Sequence, residues 1–429
     1  MRSPRSFAFG SVGERSVLNS EPMSERHGVH LTAALTIVLS VAWTLAAAAQ
    51  TSPLAPAGEV ALLVGPVTLN PSIVLRDVGF DSNVRNEADE PKEDFTLTAQ
   101  PRLRAAVPFG STLLTASASV GFVYYAAYKE EQSINRLFEG RFEGPPSRLR
   151  PFLAASLNHT RERAAYEIDA RVLRREARIS GGAEVKLTGI TSLIASFNRT
   201  TQDYGDDEVF LGTALANQLD HHTEMAAADV RYAITPLTTV TINLEMQRDR
   251  FDSSAVRDAD SVRVMPGIEF SQDAVIRGRM AMGFRRFTPL ASVLAGFSGL
   301  VGSANVSYTL LNATTFTVEA TRDVMYSFEP ATPYYLATSG RVTLSQRIAG
   351  PYDLIALAGR DRLQYQGVAG LPAAGRIDRT ANLGGGVGFR ISPSLRLAII
   401  YDRTERVSNT RARREYERRR LFASATVGR

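Results

Sequence analysis

Apolar and polar residues alternate strictly along "TVTINLEMQ", residues 239–247. Val240, Ile242, Leu244 and Met246 share one face, and Thr241, Asn243, Glu245 and Gln247 share the other. A period of two predicts a strand with one greasy and one polar face. The same alternation recurs down the chain. In "DFTLTAQPRLRAAV", Phe95, Leu97, Leu103 and Val107 oppose Thr96, Thr98, Gln100, Arg102 and Arg104. In "ARISGGAEVKL", Ile179, Val185 and Leu187 oppose Arg178, Glu184 and Lys186. In "IRGRMAMGF", Ile276, Met280, Met282 and Phe284 oppose Arg277 and Arg279. In "SGRVTLSQRI", Val342, Leu344 and Ile348 oppose Arg341, Thr343 and Arg347. In a soluble sandwich the greasy faces meet in a core, whereas in a membrane barrel they look at lipid and the polar faces line the inside.

The punctuation between strands separates these two cases. Tight turns such as "FGST" (109–112), "GPPS" (144–147), "TGIT" (188–191), "TPLT" (235–238), "NATT" (312–315), "AGPY" (349–352) and "SPSL" (392–395) carry the residues that turn geometry favours. They alternate with longer polar stretches: "DSNVRNEADEPKED", "TTQDYGDDEVFLGTALANQLDHH", "DRFDSSAVRDAD" and "DRTERVSNTRARREYERRR". Short turns at one end and long loops at the other are the signature of an outer-membrane barrel. The pattern runs for roughly 360 residues without a helical segment, enough for about 18 strands, and open sheets of that size rarely stay open. The fold expected is therefore all-β: one closed antiparallel transmembrane β-barrel of about 18 strands, with 16 as the alternative if one long loop is wrongly split.

Aromatic residues cluster at strand ends, as interfacial girdles require. Phe109, Tyr232, Tyr308, Phe316, Tyr352 and Phe389 lie near tight turns, and Tyr124, Tyr125, Tyr128, Tyr326, Phe328, Tyr334 and Tyr335 lie near long loops.

The first residues add a destination. "MSERHGVHLTAALTIVLSVAWTLAAAAQ" opens at Met23 with charge, continues through an apolar run from Leu31 to Leu45 and ends in small residues. That is the layout of a secretory signal peptide, with a cleavage option after Ala49. The expected organisation is a signal peptide over 1–49 (true start possible at Met23), a short periplasmic segment over 50–68 and the barrel over 69–429. Beyond the leader no run of about 20 apolar residues predicts a transmembrane helix. The chain has 429 residues, no cysteine and a formal charge of +5. The absence of cysteine excludes a disulfide framework and suits passage through an oxidising periplasm. The basic excess is mild, and no helix-turn-helix, zinc or RNA-binding signature points to nucleic acid.

One stretch carries a family resemblance. "VGFDSNV", Val78 to Val84, resembles a "GyDSNv" signature near the start of bacterial outer-membrane proteins of the Putative beta-barrel porin family. "DADSVRVMPGIEFSQDAVIRGRMAMGFRRF" and "MYSFEPATPYY" are also similar to members of that group. The resemblance covers most of residues 69–429. It implies an outer-membrane barrel, with a tie in some members to extracellular polysaccharide systems, and it carries over no catalytic residue. The chain departs from many such barrels by ending "LFASATVGR" rather than on the aromatic residue that barrel assembly machinery reads.

Candidate chemistry is sparse. His221 and His222 in "DHHTE" have no spaced third ligand, and His159 in "LNHTRER" has no serine motif to work with. There is no P-loop and no dinucleotide fingerprint. We therefore expect no enzyme, no cofactor and no metal. The polar faces offer the mechanistic lever. Arg102, Arg104, Arg178, Lys186, Arg231, Arg263, Arg277, Arg279, Arg341 and Arg360, with Glu184, Asp229, Glu245, Glu269 and Glu319, are candidates to line an aqueous lumen. Two functions stay open on this reading: a passive diffusion porin for small hydrophilic solutes, anionic ones among them, or a barrel tied to polysaccharide export or glycan binding without an open pore. In "RARREYERRR", Arg411, Arg413, Arg414, Arg418, Arg419 and Arg420 are candidates to contact lipopolysaccharide phosphates, because arginine forks match phosphate. Other expected partners are outer-membrane lipids and the barrel assembly machinery; the oligomeric state is left open.

Overall fold

The computed structural model describes residues 61–164, 166–368, 375–392, 394–409 and 414–427. Its strands, in chain order, are β1 (Val67–Asp81), β2 (Asp94–Phe109), β3 (Thr112–Tyr125), β4 (Ser133–Glu143), β5 (Leu149–Arg163) and β6 (Arg171–Lys186). Next come β7 (Thr191–Tyr204), β8 (His221–Thr235), β9 (Thr238–Phe251), β10 (Ala259–Phe270), β11 (Ile276–Pro289) and β12 (Phe297–Leu310). Last are β13 (Thr314–Tyr326), β14 (Tyr334–Ala349), β15 (Tyr352–Gln366), β16 (Ile377–Ser392), β17 (Leu395–Ser408) and β18 (Tyr416–Val427). Each pairs antiparallel with its chain neighbours, in one 19-stranded sheet. The nineteenth member is the three-residue strand Leu62–Val64, which only folds back on the start of β1. The remaining 18 close on themselves through β1 and β18, from Ile73 opposite Val427 to Asp81 opposite Arg420. An even strand number puts the start of β1 and the end of β18 on the same rim.

The tight turns fall where residue chemistry allows them. Gly110 and Gly350 sit at φ +58° and +52° between strand ends, a conformation that costs glycine nothing. A further tight turn joins β10 to β11 across 271–275, where "SQDAV" carries neither Gly nor Pro and so gives little turn signal. The long loops gather at the opposite rim. One of them, 205–220, contains the short helix Leu215–Leu219, which the sequence reading did not expect. His221 starts β8 and stacks on Phe251 rather than lying in a solvated loop.

The barrel turns the apolar faces outward. On β9, Ile242, Leu244 and Met246 are exposed, while Thr241 and Asp249 are buried and Asn243, Glu245 and Gln247 are half-buried. Exposed outward residues of other strands include Phe138, Leu153, Ile179, Phe197, Met282, Val342, Leu383 and Ile399. In water such a surface would be a large liability; in a bilayer it is the required one. No helix among the described residues is long and apolar enough to cross a membrane, and the crossing is made by strands.

The "VGFDSNV" stretch is the clasp of the seam. At Gly79 a Cβ would lie 2.0 Å from the backbone oxygen of Leu421, so only glycine lets β1 approach β18 there. Phe80 points outward and meets Phe95 edge-on, with ring centroids 5.5 Å apart. The Asp81 carboxylate takes the Arg418 guanidinium. The Ser82 amide donates to the Arg419 carbonyl at 3.0 Å, and its hydroxyl accepts from the Arg419 amide at 2.9 Å. Asn83 Nδ2 donates to the carbonyls of Glu417 (3.1 Å) and Glu87 (2.8 Å). These bonds hold the ends of the first and last strands together where a barrel would otherwise fray.

Candidate functional site: the lumen wall and the loop cap

Alternation carries the polar set inward, and the tight-turn half of the wall is knitted by ion pairs across strands. Arg231 bridges Glu269, Arg150 bridges Glu143, and Arg396 bridges Asp353 at 2.7 Å. Glu184 shares a recess with Arg150 and Arg231, and Lys186 sits on the same face nearer the turn. Further up, Arg263 joins Glu245 to Asp323, which also takes Arg285 at 2.7 Å. Asp229 accepts from Asn243 Nδ2 at 2.8 Å. Arg104, Arg141 and Arg178 line a recess of about 340 Å³ with Glu139 and the hydroxyls of Ser117, Ser156 and Ser180. Arg277 donates to Thr309 Oγ1 at 3.2 Å, Arg279 stands opposite Glu269, and Glu319 stands opposite Arg341. Arg102, opposite Ser119, has no carboxylate within ion-pairing distance among the described residues.

Arg360 departs from the expected lumen set. It shares the outward face of β15 with Leu354, Ala356 and Ala358, whereas its neighbour Asp361 faces inward and accepts from Ser339. The outward run of β15 has passed the apolar band at that point, so a charged side chain is tolerated there.

The Arg411–Arg420 run divides in the same way. Arg411 and Arg413 lie outside the described residues. Arg418 turns inward to Asp81, and Arg420 turns inward to Asp402 at 2.8 Å. Arg414 is buried between the rings of Phe328 and Phe210 and bonds Glu329 at 2.7 Å. Among the described arginines of the run only Arg419 stays outward and exposed, paired with Glu417 at 2.6 Å. A run read as one solvated loop is in part a strand, and alternation sends every second arginine into the barrel.

Above the wall the long loops fold inward and meet. Ile168 and Phe328 from two loops, Phe210, Leu215 and Leu219 from a third, and Val172, Tyr204 and Phe251 from strand ends form one buried apolar cluster. Its members come from β6 round to the β13–β14 connection, nearly opposite sides of the barrel, so the cluster spans the mouth. This is a correction to the expected upper aromatic girdle. Tyr125, Phe328, Tyr334 and Tyr335 are buried in the interior of the cap region, and only Tyr124 of that set is well exposed. Near the tight turns Phe109, Tyr232, Tyr308, Phe316 and Tyr352 do stand exposed on the outside. Signals for the cap were present in the sequence as apolar residues inside polar stretches, "VFL" at 209–211 above all.

A buried ionic chain crosses the same cap. Arg406 from β17 reaches Asp169 at 2.9 Å and Asp378 at 2.7 Å. Asp378 also takes Arg376, which bonds Glu329 at 2.8 Å, and Glu329 takes Arg414. Among the described residues of the cap, Arg257 and Glu167 are buried with no partner of opposite sign in bonding range. Arg257 donates to Gln218 Oε1 (2.6 Å), Ser254 Oγ and the carbonyls of Ser327 (2.9 Å) and Glu329 (3.0 Å). Glu167 accepts from the Ser327 hydroxyl (2.8 Å) and the Phe328 amide (3.2 Å). Burial pushes the Glu167 carboxyl up to about 7, against the pull of Arg414 and Ser327. Burial likewise pushes Asp220 up to about 6, with Asp203 and Asp252 adding to the rise, and pulls Arg257 down to about 10. Sequence reading missed Glu167, Asp169, Arg257, Glu329, Arg376, Asp378 and Arg406, because nothing in loop spacing says which loops meet.

Among the described residues no group of three or more potential ligand side chains could hold a metal ion. The arrangement offers a polar, charge-patterned inner wall below and a folded layer of loops above.

The family model described as Putative beta-barrel porin 2 matches residues 53–429. No curated protein matches the chain. Among solved structures, OccK3 (OpdO) of Pseudomonas aeruginosa is similar at 13% identity and TM-score 0.45, covering 84% of this chain and 95% of its own. The OccK2 (OpdF) structure of the same organism in complex with glucuronate has 10% identity and TM-score 0.47, covering 84% and 98%. A BenF-like porin from Pseudomonas fluorescens Pf-5 has 11% identity and TM-score 0.46, covering 84% and 99%.

Proposed function

The chain belongs to the Putative beta-barrel porin 2 family of outer-membrane barrels, and on that premise we propose that it is a passive diffusion porin for small hydrophilic solutes, with anions favoured. The observation that supports this reading is the inner wall itself. Its polar faces carry arginines from the tight-turn rim to the cap, and Arg102 there lacks a carboxylate partner among the described residues. A solute crossing such a lumen meets fixed guanidinium groups in a low-dielectric surround, which raises the local concentration of anions. The ion pairs across the wall set a transverse field in the lumen. The loop cap makes the passage narrow and selective rather than wide. The organisation expected from the sequence belongs to the same proposal: a leader removed near Ala49 and a short periplasmic segment before the barrel. Sequencing the mature protein should find its start close to Gln50.

Planar bilayers test the central point. The purified full chain should give stepwise conductance, and a potassium chloride gradient should give a reversal potential of anion-selective sign. Cation selectivity would overturn the preference, and silence at every pH between 5 and 8 would overturn the pore.

A further inference from the structure

We propose that the outward face of β15–β18, at its long-loop end, is a binding site for the phosphate groups of the glycolipid in the outer leaflet. The inference rests on the barrel's place in the outer membrane but not on conduction. Arg360 and Arg362 on β15 and Arg379 on β16 are all exposed and outward. Arg362 stands directly opposite Arg379 in the register. Like charges in that position are side by side at roughly 5 Å between Cβ atoms and repel. Among the described residues none of the three has a carboxylate within ion-pairing distance, whereas inner-wall arginines such as Arg231, Arg263 and Arg396 are paired. The next opposed pair, Arg403 and Arg419, is instead compensated, by Glu417 at 3.1 and 2.6 Å and by Glu405 at 3.5 Å from Arg403, which leaves Arg362 and Arg379 as the uncompensated pair among the described residues of this face.

The position of this patch identifies what would relieve the repulsion. Immediately below it, on the same outward face, lie Leu383, Val387, Ile399 and Leu421, all exposed to the hydrocarbon. The cationic patch therefore begins where the apolar band ends, on the rim that carries the long loops. A phosphate anchored to an acyl-chain lipid sits at that depth, and a planar guanidinium fork matches its oxygens. A solute in the lumen cannot reach the patch, because the wall lies between.

The test uses the full chain, folded in neutral detergent and titrated with bisphosphorylated lipid A, with the same lipid A stripped of its phosphates, and with inorganic phosphate. Binding is read by native mass spectrometry and by the temperature of the heat-modifiable gel shift. Bisphosphorylated lipid A should bind roughly tenfold more tightly than the stripped lipid, and R362Q/R379Q should remove that difference. R362K/R379K should keep part of it, because charge survives without the fork. Equal binding of the two lipids, or equal binding by the wild type and R362Q/R379Q, overturns the site. Inorganic phosphate matching lipid A overturns the membrane source. Should R362Q/R379Q lose the gel shift altogether and so fail to fold, R360Q carries the same comparison, and an unchanged lipid A preference there overturns the proposal.

Discussion

The two rims of this barrel solve the same problem with different chemistry. At the tight-turn rim the strands simply turn back, ringed outside by Phe109, Tyr232, Phe316 and Tyr352 and knitted inside by partly solvated pairs such as Arg231–Glu269. At the long-loop rim most of the aromatics have gone inside, where Phe328, Phe210 and Phe251 build a core across the mouth, and Phe80 and Tyr124 stay outside. The outside of β15 and β16 there carries arginines. Ion pairs follow the same division. Those at the turn rim are about one-third exposed, so they are screened and individually weak. Those in the cap, such as Arg406–Asp378, are almost fully buried, so each depends on its partner being present. The wall holds its shape through backbone ladders; the cap holds its shape through side chains.

That contrast can be broken experimentally, beginning at its strongest point. Arg406→Met leaves Asp378 and Asp169 buried beside an apolar side chain and should destabilise the cap by about 3–5 kcal/mol. The ladder is untouched, so the variant should keep its heat-modifiable shift while its loops become sensitive to protease and its conductance rises. Loss of the gel shift instead would mean that the cap and wall are one cooperative unit.

Next in size is a pH effect through Glu167. Its carboxyl is raised from an ordinary 4.5 to about 7 in the folded cap. The folded state therefore holds the proton more tightly than the unfolded one, and this group's contribution to stability falls as pH rises from about 4.5 to about 7. The loss is at most about 3 kcal/mol. Conductance should be higher at pH 8 than at pH 5, and Glu167→Gln should flatten that dependence. A profile that Glu167→Gln leaves unchanged would assign the pH response to another group.

The wall has its own discriminating pair on β9. Ile242→Asp places a charge on the lipid face and should cost roughly 2 kcal/mol, seen as lower folding yield into vesicles. Asn243→Asp, one residue along and facing inward, should fold as the wild type does. Equal yields would reverse the assignment of faces. The smallest effect is expected from Arg231→Gln at the turn rim, below about 1 kcal/mol by thermal unfolding. A loss as large as that of Arg406→Met would erase the distinction between the two rims.

Much of this molecule is legible in its sequence because a strand writes its two environments at a period of two. Val240–Gln247 shows the principle: alternation gave the faces, and the turn–loop asymmetry gave the barrel. The same rule explains the departures. Arg360 lies where the outward run of β15 leaves the apolar band, so its type alone suggested the lumen while its parity put it outside. Arg418 and Arg420 belong by composition with the polar loop before them, and their parity on β18 sends them inward. In both places register, not residue type, decides the face.

By itself, then, the sequence determined the strands, their two faces, the rim at which the chain makes tight turns and the barrel class, since all of these follow from local periodicity and turn chemistry. Only the tertiary structure decided which loops meet. The cap joins Arg406 to Asp169 and Phe210 to Phe328 across more than a hundred residues of chain. Such contacts follow from barrel closure, which brings distant loops over one mouth, and no local pattern records that geometry.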